Sequence, residues 1–333
     1  MMPTALSLPG GIDQEELLAQ LRPLCWGAAD ILRAYARGEQ PPHGFAAALT
    51  VADGGSGPVT AADLAVNEWL LQGLKASFPD APWTLLSEET AAEALQLGLP
   101  LPGEWLWLLD PLDGTKDFLL GTGEYAVHLA LVQRGKPVLG VVLLPESEEL
   151  WFGLLPQAST AAGAGTAAGA GATAGAGAPA QPAGGSAWRE NRCGERFAPQ
   201  LSARRCIGEL VLVASRSHRD SRLEQLLAAL ELGETRVMGS VGGKVATILR
   251  GESDLYISLS GSSAPKDWDM AAPEAVLRAA GGAFSHADGQ GLSYNKGDGL
   301  QAGCLVASHG PNHAEICQKA AAAMGRIDPT FVL

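Results

Sequence analysis

An apolar run at residues 105–109 stops at Asp110, and a second aspartate follows at Asp113. The run predicts a buried strand, and Asp-Pro-Leu-Asp-Gly predicts a tight turn at its end. Two carboxylates on one turn repel each other unless a cation lies between them, and hard divalent cations such as Mg²⁺ prefer oxygen ligands. The segment therefore predicts half of a metal site, and the fold must bring other acidic side chains to the end of this strand.

Composition excludes several classes of protein. The chain has 333 residues, of which 47% are hydrophobic, so it can build a large core. A net charge of −13 argues against binding to nucleic-acid polymers or to an anionic membrane surface. No apolar run is long enough for a membrane span, and the N-terminus lacks the pattern of a signal peptide. The cysteines are scattered and odd in number, which predicts no zinc site and a reducing, cytoplasmic location: Cys25, Cys193, Cys206, Cys304 and Cys317.

The order of predicted elements indicates an α/β (α+β) protein. Its first half is largely antiparallel strands behind two helices, and its second half alternates strands with helices. This order favours two packed subdomains with helix layers between and outside two sheets. The predicted helices cover 13–37, 61–77, 220–232, 244–250, 269–280 and 311–324. The predicted strands cover 83–87, 105–109, 124–134, 137–144, 149–153, 210–214, 235–238, 254–259, 282–285 and 304–307.

A change in composition separates the two halves. Residues 160–178 are only Ala, Gly and Thr, which bury too little to offset the entropy of ordering them. We therefore expect a flexible insertion over 156–205 that takes no part in catalysis. It would separate an N-terminal subdomain, 1–155, from a C-terminal subdomain, 206–333.

Further acidic residues stand at the ends of other predicted elements. Glu88 and Glu89 follow a strand, Asp269 begins a helix, and Asp63 lies in the first turn of a helix for which Thr60 is the predicted N-cap. Each of them alone is usually a solvated residue or a partner of the helix dipole. Together with the two aspartates after residues 105–109 they form an acidic set without comparable basic partners. Such a set is typical of a phosphate-processing site with two or three metal ions.

Three of these segments together resemble a known family. They are Ser87-Glu88-Glu89, Asp110-Pro111-Leu112-Asp113-Gly114-Thr115 and Trp268-Asp269-Met270-Ala271-Ala272. Their order and separation resemble the Mg²⁺-dependent, lithium-sensitive phosphatases of the inositol monophosphatase superfamily. The resemblance covers most of the chain outside the insertion and the extreme N-terminus. It implies the layered α-β-α-β-α sandwich of inositol monophosphatase and fructose-1,6-bisphosphatase, and dimers are frequent in the family, so a homodimer is one expectation.

The resemblance also implies which residues bind Mg²⁺. Glu88 and Asp110 bind one ion, together with the backbone carbonyl of Leu112. Asp110, Asp113 and Asp269 bind a second ion.

The remaining roles that the resemblance implies concern water and substrate. Asp63 supports a third ion or its water, and Thr115, paired with Glu88, orients and deprotonates the attacking water. The N–H groups of Gly114 and Thr115 hold the phosphate at the start of the next helix. Asp113 and Asp269 lie against the same phosphate. Attack by water is in line, without a covalent phosphoenzyme.

Smaller features resemble one branch, the CysQ-type bisphosphate nucleotidases. These are Lys116-Asp117-Phe118 and the segments 214–218, 239–244 and 266–275. The resemblance implies hydrolysis of 3′-phosphoadenosine 5′-phosphate to AMP and phosphate. The second phosphate would be bound by a separate set of residues: His218, Ser240 and Lys244, with Arg216 as a further candidate. Structural alternatives stay open, because His218 could cap the following helix and Lys244 could lie on a helix surface.

One departure and three alternatives remain. The loop 50–58 has no basic residue, whereas family members often carry a lysine near its start, so a third ion is open. The same scaffold also serves phosphatases of inositol or sugar phosphates such as fructose bisphosphate. A non-catalytic nucleotide-binding regulator would lack a ligand carboxylate or Thr115, and none of these is missing. A nucleic-acid-binding module is disfavoured by the acidic charge.

Overall fold

The structure is a computed structural model of the chain and describes residues 5–53, 58–157, 185–217, 219–260 and 264–333. Its α-helices are α1 (Gln14–Arg37), α2 (Ala61–Ser77), α3 (Glu88–Ala94), α4 (Thr115–Leu119), α5 (Ser221–Ala229), α6 (Val241–Leu249), α7 (Asp267–Ala279) and α8 (His313–Ile327). Its strands are β1 (Val51–Asp53), β2 (Pro58–Thr60), β3 (Thr84–Ser87), β4 (Trp105–Asp113), β5 (Ala126–Gln133), β6 (Lys136–Leu144), β7 (Glu149–Leu154), β8 (Ser186–Glu190), β9 (Arg196–Phe197), β10 (Val211–Ser215), β11 (Glu234–Met238), β12 (Leu255–Leu259), β13 (Ala283–His286) and β14 (Cys304–Ser308).

A seven-stranded sheet in the order β3-β4-β5-β6-β7-β8-β9 supports the site. Strands β3 and β4 are parallel, and the other neighbours are antiparallel. Side chains alternate between the two faces along β4. Trp107 and Leu109 pack in the core with α1 and α2, whereas Leu106 and Leu108 pack in the core with α6 and α7. Both faces of the sheet are therefore covered by helices.

A five-stranded sheet in the order β11-β10-β12-β14-β13 forms the second β layer. Helices α6 and α7 lie between the two sheets, and their apolar residues share one core with residues of both. Helices α5 and α8 pack together on the outer face of the small sheet. The layers therefore run α-β-α-β-α, which confirms the predicted fold class.

The prediction of a flexible insertion over 156–205 is wrong for its second part. Strands β8 and β9 extend the large sheet, and Trp188 stacks on Phe152 with ring centroids 5.2 Å apart. Trp188 is buried, so strand β8 adds apolar surface to the core. The Ala/Gly-rich sequence before the strand does not predict this. The large sheet thus continues to Phe197, past the predicted boundary at 155. Residues 158–184 lie outside the described part of the chain.

The predicted tight turn after residue 109 is also wrong. Strand β4 continues through Asp113, which pairs with Ala126, and its register shifts between Asp110 and Asp113. The Pro111 ring has no N–H to donate, so an irregularity in the ladder is expected at this point. The acidic residues lie on a distorted strand end.

No helix within the described ranges is both long and apolar enough to cross a bilayer. All the cysteines are free; Cys25, Cys304 and Cys317 are buried.

Candidate active site

Asp63 is held by the N-terminus of α2. Thr60 is the N-cap as predicted, and its side chain accepts hydrogen bonds from the N–H groups of Ala62 and Asp63. Oδ2 of Asp63 in turn accepts from the backbone N of Thr60 at 2.8 Å and from its hydroxyl at 2.5 Å. This capping box buries Asp63 and fixes its second oxygen, Oδ1, toward α4.

Parallel pairing of β3 with β4 brings Glu88 beside Asp110. Ser87 is opposite Leu109, so Glu88, the first residue after β3, follows at the level of Asp110 on β4. Asp110 is buried, and its Oδ1 accepts from the backbone N of Leu112 at 3.1 Å. The two motifs that sequence analysis singled out therefore meet at one sheet edge.

Asp113, at the end of β4, and Asp269, in the first turn of α7, are each held by a helix that lies between the sheets. Oδ2 of Asp113 accepts from the backbone N of Gly242, in the first turn of α6, at 3.0 Å. Oδ2 of Asp269 accepts from the backbone N of Lys266, the N-cap residue of α7, at 2.8 Å. A carboxylate at a helix N-terminus is stabilised by the helix dipole, so both positions suit an ionised side chain.

Burial and neighbouring carboxylates raise the pKa of three acidic side chains in this cluster. Burial, and then the charges of Asp269, Glu89 and Asp63, raise the pKa of Glu88 to about 8. Burial and the charge of Asp113 raise the pKa of Asp269 to about 7. The pKa of Asp110 is raised well above its ordinary value by burial and then by Glu88, Asp113 and Asp269. The ionised forms of these carboxylates are therefore disfavoured without a cation, although the buried Lys244 lies near Asp113 and Asp269.

The chemistry of this cluster fits a hard divalent cation. Carboxylate oxygens and the nearby Leu112 carbonyl are the ligands such cations prefer, and a cation would relieve the repulsion. As they stand, no three histidine, cysteine, aspartate or glutamate side chains in the described ranges are arranged so that they could hold an ion. The residues thus supply the donors, and the side chains must adjust to close around an ion.

Thr115 is paired with a different residue from the one predicted. Its hydroxyl lies 3.2 Å from Oδ1 of Asp63 and 3.1 Å from the Leu112 carbonyl oxygen, so the structure joins it to Asp63, whereas sequence analysis paired it with Glu88. Thr115 opens α4, which is only five residues long.

Gly114 brings the two halves of the chain together. Its φ is 95°, and a Cβ there would lie 3.1 Å from the Glu124 carbonyl oxygen and 3.4 Å from Cβ of Ser240. Glycine is therefore required by both the backbone conformation and the close approach.

The predicted substrate residues in the second half of the chain differ in how deeply they are buried. Ser240 is buried as the N-cap of α6, and its Oγ accepts from Gly243 N at 3.0 Å. Lys244 is also buried; its Nζ donates to the Gly239 carbonyl oxygen at 2.5 Å and lies over the Tyr256 ring. Burial lowers the pKa of Lys244 to about 8, against the nearby carboxylates, which raise it. The surface position considered for Lys244 is thus wrong.

Arg216 lies at the rim, where Nε donates to Asp117 at 2.9 Å and Nη2 donates to Glu124 at 2.5 Å. Glu124 also accepts from the backbone N of Gly239 at 2.9 Å. This ion-pair network connects the α4 region to the start of α6. His218 lies outside the described residues.

His128 is a further residue of the site, and the sequence motifs did not indicate it. It is buried on β5 opposite Asp110, and its Nε2 lies 3.3 Å from Oδ2 of Asp113. Burial lowers the pKa of His128. A single histidine within the apolar segment 125–132 was the available signal.

The layered fold and the carboxylate cluster around the buried Asp110 indicate a class of hydrolytic phosphatases, and the comparisons identify its family. The chain belongs to the inositol monophosphatase family, because the model described as "Inositol monophosphatase family" matches residues 13–324.

Two curated relatives carry a more specific name. The chain is 35% identical over 241 residues to the 3′(2′),5′-bisphosphate nucleotidase CysQ of Salmonella typhimurium, covering 71% of this chain and 79% of the relative. It is 31% identical over 280 residues to the CysQ of Escherichia coli K12, covering 84% and 94%. The chain is thus similar to these enzymes along most of their length.

Solved structures agree on the fold. An inositol monophosphatase of Thermotoga maritima has a TM-score of 0.65 at 20% identity, covering 93% of this chain and 99% of that one. CysQ from Bacteroides thetaiotaomicron has a TM-score of 0.59 at 26% identity, covering 89% and 98%.

Proposed function

We propose that the protein is a Mg²⁺-dependent phosphomonoesterase that hydrolyses the 3′-phosphate of 3′-phosphoadenosine 5′-phosphate to AMP and phosphate. The observation that carries the proposal is the convergence of Glu88, Asp110, Asp113 and Asp269 beside the Thr115–Asp63 pair. The choice of a nucleotide rests on similarity to relatives named 3′(2′),5′-bisphosphate nucleotidase.

The ligand assignment follows the family resemblance. Glu88, Asp110 and the Leu112 carbonyl would hold one ion, and Asp110, Asp113 and Asp269 a second. Bound Mg²⁺ would offset phosphate charge, stabilise the leaving oxygen and make water a better nucleophile. A third ion stays a prediction, because residues 54–57 of the loop beside Asp63 lie outside the described structure.

The Thr115–Asp63 pair is suited to handling the proton of the attacking water. Asp63 Oδ1 and the Leu112 carbonyl oxygen both accept the Thr115 hydroxyl proton, so the lone pairs of the hydroxyl are free to accept from water. Burial raises the pKa of Asp63, which makes it a better proton acceptor than an exposed aspartate. The water oxygen attacks phosphorus, the bond from phosphorus to the ribose 3′-oxygen breaks, and that oxygen takes a proton from solvent.

The second phosphate needs positive charge near the acidic cluster. Arg216 is partly exposed at the rim, so its guanidinium can contact this phosphate directly. Lys244 is buried among carboxylates, so it contributes positive charge near the second phosphate. Direct contact with that phosphate would require its ammonium group to leave the Gly239 carbonyl oxygen.

Phosphate release tests the proposal. The full chain with Mg²⁺ would be compared on 3′-phosphoadenosine 5′-phosphate, its 5′-sulfated form, inositol 1-phosphate and fructose 1,6-bisphosphate at equal concentration. We expect the highest kcat/KM on one of the two adenosine compounds, loss of activity with EDTA, and inhibition by lithium.

The other outcomes discriminate between the alternatives. A preference for inositol 1-phosphate or the fructose ester would overturn the nucleotidase assignment and keep the phosphatase. Tight nucleotide binding without phosphate release on any ester would instead support a regulator.

A further inference from the structure

A cavity of about 340 Å³ lies at the start of β4, the end of that strand away from the acidic cluster. Leu106 on β4 and Val132 on β5 are buried, are paired across the sheet and line the cavity. Asp110 lies four positions further along β4, which is roughly 13 Å at the rise of a strand. Small-molecule sites usually have volumes of about 300–1,000 Å³. The cavity is therefore separate from the candidate active site and large enough for a small ligand.

Hydrogen bonds join the segments that form the cavity walls. Three segments distant in the sequence contribute: residues 100–106, 132–135 and 293–296. The backbone N of Arg134 donates to the Glu104 carbonyl oxygen at 2.9 Å, which joins the second segment to the first. The backbone N of Tyr294 donates to the Gly135 carbonyl oxygen at 3.1 Å, which joins the third segment to the second.

Asn295 closes the remaining side of the cavity. Its Oδ1 accepts from the backbone N of Leu101 at 2.7 Å, and its Nδ2 donates to the Leu101 carbonyl oxygen at 2.9 Å. Each pair of walls is thus hydrogen-bonded, so the cavity is formed before any ligand enters it. A preformed site binds more tightly because less conformational entropy is lost on binding.

Two residues in the cavity wall hold an uncommon backbone conformation. The φ angle is 50° at Arg134 and 59° at Asn295. Arg134 and Gly135 are the central residues of the hairpin turn between β5 and β6, and both have positive φ. Asn, Asp or Gly is usual at the first position of such a turn. Residues held in this conformation concentrate at functional sites, which favours a functional reason for an arginine here.

The ionisable groups of the cavity leave it positively charged in a chain whose net charge is −13. Arg134 and Lys296 contribute positive charge, and Glu104 contributes negative charge. Nη2 of Arg134 lies 3.2 Å from Oε2 of Glu104, and both side chains are exposed. Lys296 is exposed and forms no ion pair with any residue in the described ranges. The cavity therefore has an unmatched cation that would attract an anion.

We propose that this cavity binds a small organic anion. The carboxylate or phosphate group of that anion contacts Arg134 and Lys296, and its apolar body packs on Leu106 and Val132. A guanidinium has five N–H donors in a planar fork, so Arg134 can bind an anion while keeping Glu104 as a partner. The proposal depends on neither the metal site nor phosphatase activity, because the cavity lies at the opposite end of β4.

Binding of 1-naphthoate to the full-length protein, measured by saturation-transfer NMR, provides the test. This probe joins a carboxylate to an apolar ring system, and 1-naphthalenemethanol is a neutral molecule of similar shape. EDTA is present throughout, so that the carboxylates of the acidic cluster repel the probe from the candidate active site. We expect a Kd below ~1 mM for the acid and a Kd at least ~10-fold higher for the alcohol.

Four variants locate the bound probe. Lys296→Gln and Arg134→Gln should each raise the Kd by about 5-fold, the upper range for one exposed charge pair. Ser293→Phe should abolish saturable binding, because it adds a ring at an exposed position of the cavity wall. Lys75→Gln is the matched control, since it removes the same charge from an exposed lysine in the last turn of α2. Its Kd should equal that of the wild type.

Each of four other outcomes would overturn the proposal. Equal affinity for the acid and the alcohol would show that the cavity does not select an anion. A wild-type protein that shows no saturable binding up to ~10 mM would have no such site. Unchanged binding in Ser293→Phe would place the probe elsewhere on the protein. A loss in Lys75→Gln equal to that in Lys296→Gln would reduce the effect to net charge.

Discussion

The hydroxyl of Thr115 lies 3.2 Å from Oδ1 of Asp63, and this contact joins the start of α4 to the first turn of α2. The same Asp63 closes the capping box with Thr60 through its other oxygen. The helix cap therefore fixes Asp63 in place, and Asp63 Oδ1 and the Leu112 carbonyl oxygen, 3.1 Å away, are the two acceptors that orient the Thr115 hydroxyl.

Removing that hydroxyl should lower kcat without unfolding the protein. Thr115→Val keeps the shape of the side chain but cannot accept a proton from water. We expect kcat to fall by ~10²-fold or more, the size usual for a general-base contribution. Thr115→Ser restores the hydroxyl and should recover most of the rate in the same phosphate-release assay. Near-wild-type turnover in the valine variant would contradict the role.

Asp110→Asn should abolish turnover while leaving the metal-free fold intact. The side chain is buried against Glu88, Asp113 and Asp269, so the neutral amide removes a ligand and relieves repulsion together. We expect no loss of melting temperature in EDTA, and a smaller rise on adding Mg²⁺ than the wild type gives. Asp30→Asn, on an exposed aspartate paired with Arg192, is the control and should leave both measurements unchanged.

The metal-free protein should lose stability as pH rises. Burial first, and neighbouring carboxylates second, raise the pKa of Glu88 to about 8 and that of Asp269 to about 7. Between the ordinary pKa values near ~4 and these raised values, the folded state binds more protons than the unfolded state, so the free energy of unfolding falls with pH.

Melting temperatures between about pH 5 and pH 8 check this expectation. In EDTA the melting temperature should decline across the range, and in Mg²⁺ the decline should shrink because the cation stabilises the ionised forms. Glu88→Gln should flatten the EDTA curve. A wild-type curve that stays level in EDTA would show that these carboxylates are not crowded in solution.

Local signals made much of the fold predictable from sequence. The helix predicted over 61–77 is α2 with the same bounds, because Thr60 and Asp63 form a capping box that depends on neighbours in the chain. The continuous apolar run at residues 105–109 likewise predicted a buried strand, and β4 is covered on both faces.

Contacts between distant segments were not predictable in the same way. Thr115 and Asp63 are separated by 52 positions in the chain. The carboxylate to which the Thr115 hydroxyl donates therefore depends on how α2 packs against the large sheet. Trp188 was overlooked because the Ala/Gly-rich stretch before it dominated the composition of that region. His128 was overlooked because its role arises only from the pairing of β4 with β5, which places it opposite Asp110.

Arg216 should affect substrates with a second phosphate more than those without one. Its Nε and Nη2 serve Asp117 and Glu124, and a guanidinium has five N–H donors, so it can bind a phosphate while keeping these partners. We expect Arg216→Gln to lower kcat/KM on 3′-phosphoadenosine 5′-phosphate by ~10-fold or more, the size of one charge-assisted hydrogen bond. The change on adenosine 3′-phosphate should be much smaller.

Arg219→Gln is the matched control for this comparison. Arg219 pairs with Glu224 on α5 and should leave the ratio between the two substrates unchanged. Equal losses on both substrates in Arg216→Gln would indicate that Arg216 acts only by holding the α4 region to the start of α6.

Replacing residues 158–184 with a short glycine-serine linker should leave the enzyme active. Leu154 and Ser186 are paired across β7 and β8, so the ends to be joined lie close together, and a shorter loop closes at slightly lower entropic cost. We expect the melting temperature to stay within ~2 °C and kcat within about two-fold.

A longer deletion that also removes Ser186–Glu190 should behave differently. It takes away Trp188, which stacks on Phe152, and Glu190, which accepts from Arg22 at 2.6 Å. Loss of a buried aromatic residue alone destabilises by ~3–5 kcal/mol, so the melting temperature should fall sharply. A large loss of activity in the shorter deletion would instead assign residues 158–184 a part in the site, against what their Ala/Gly composition predicts.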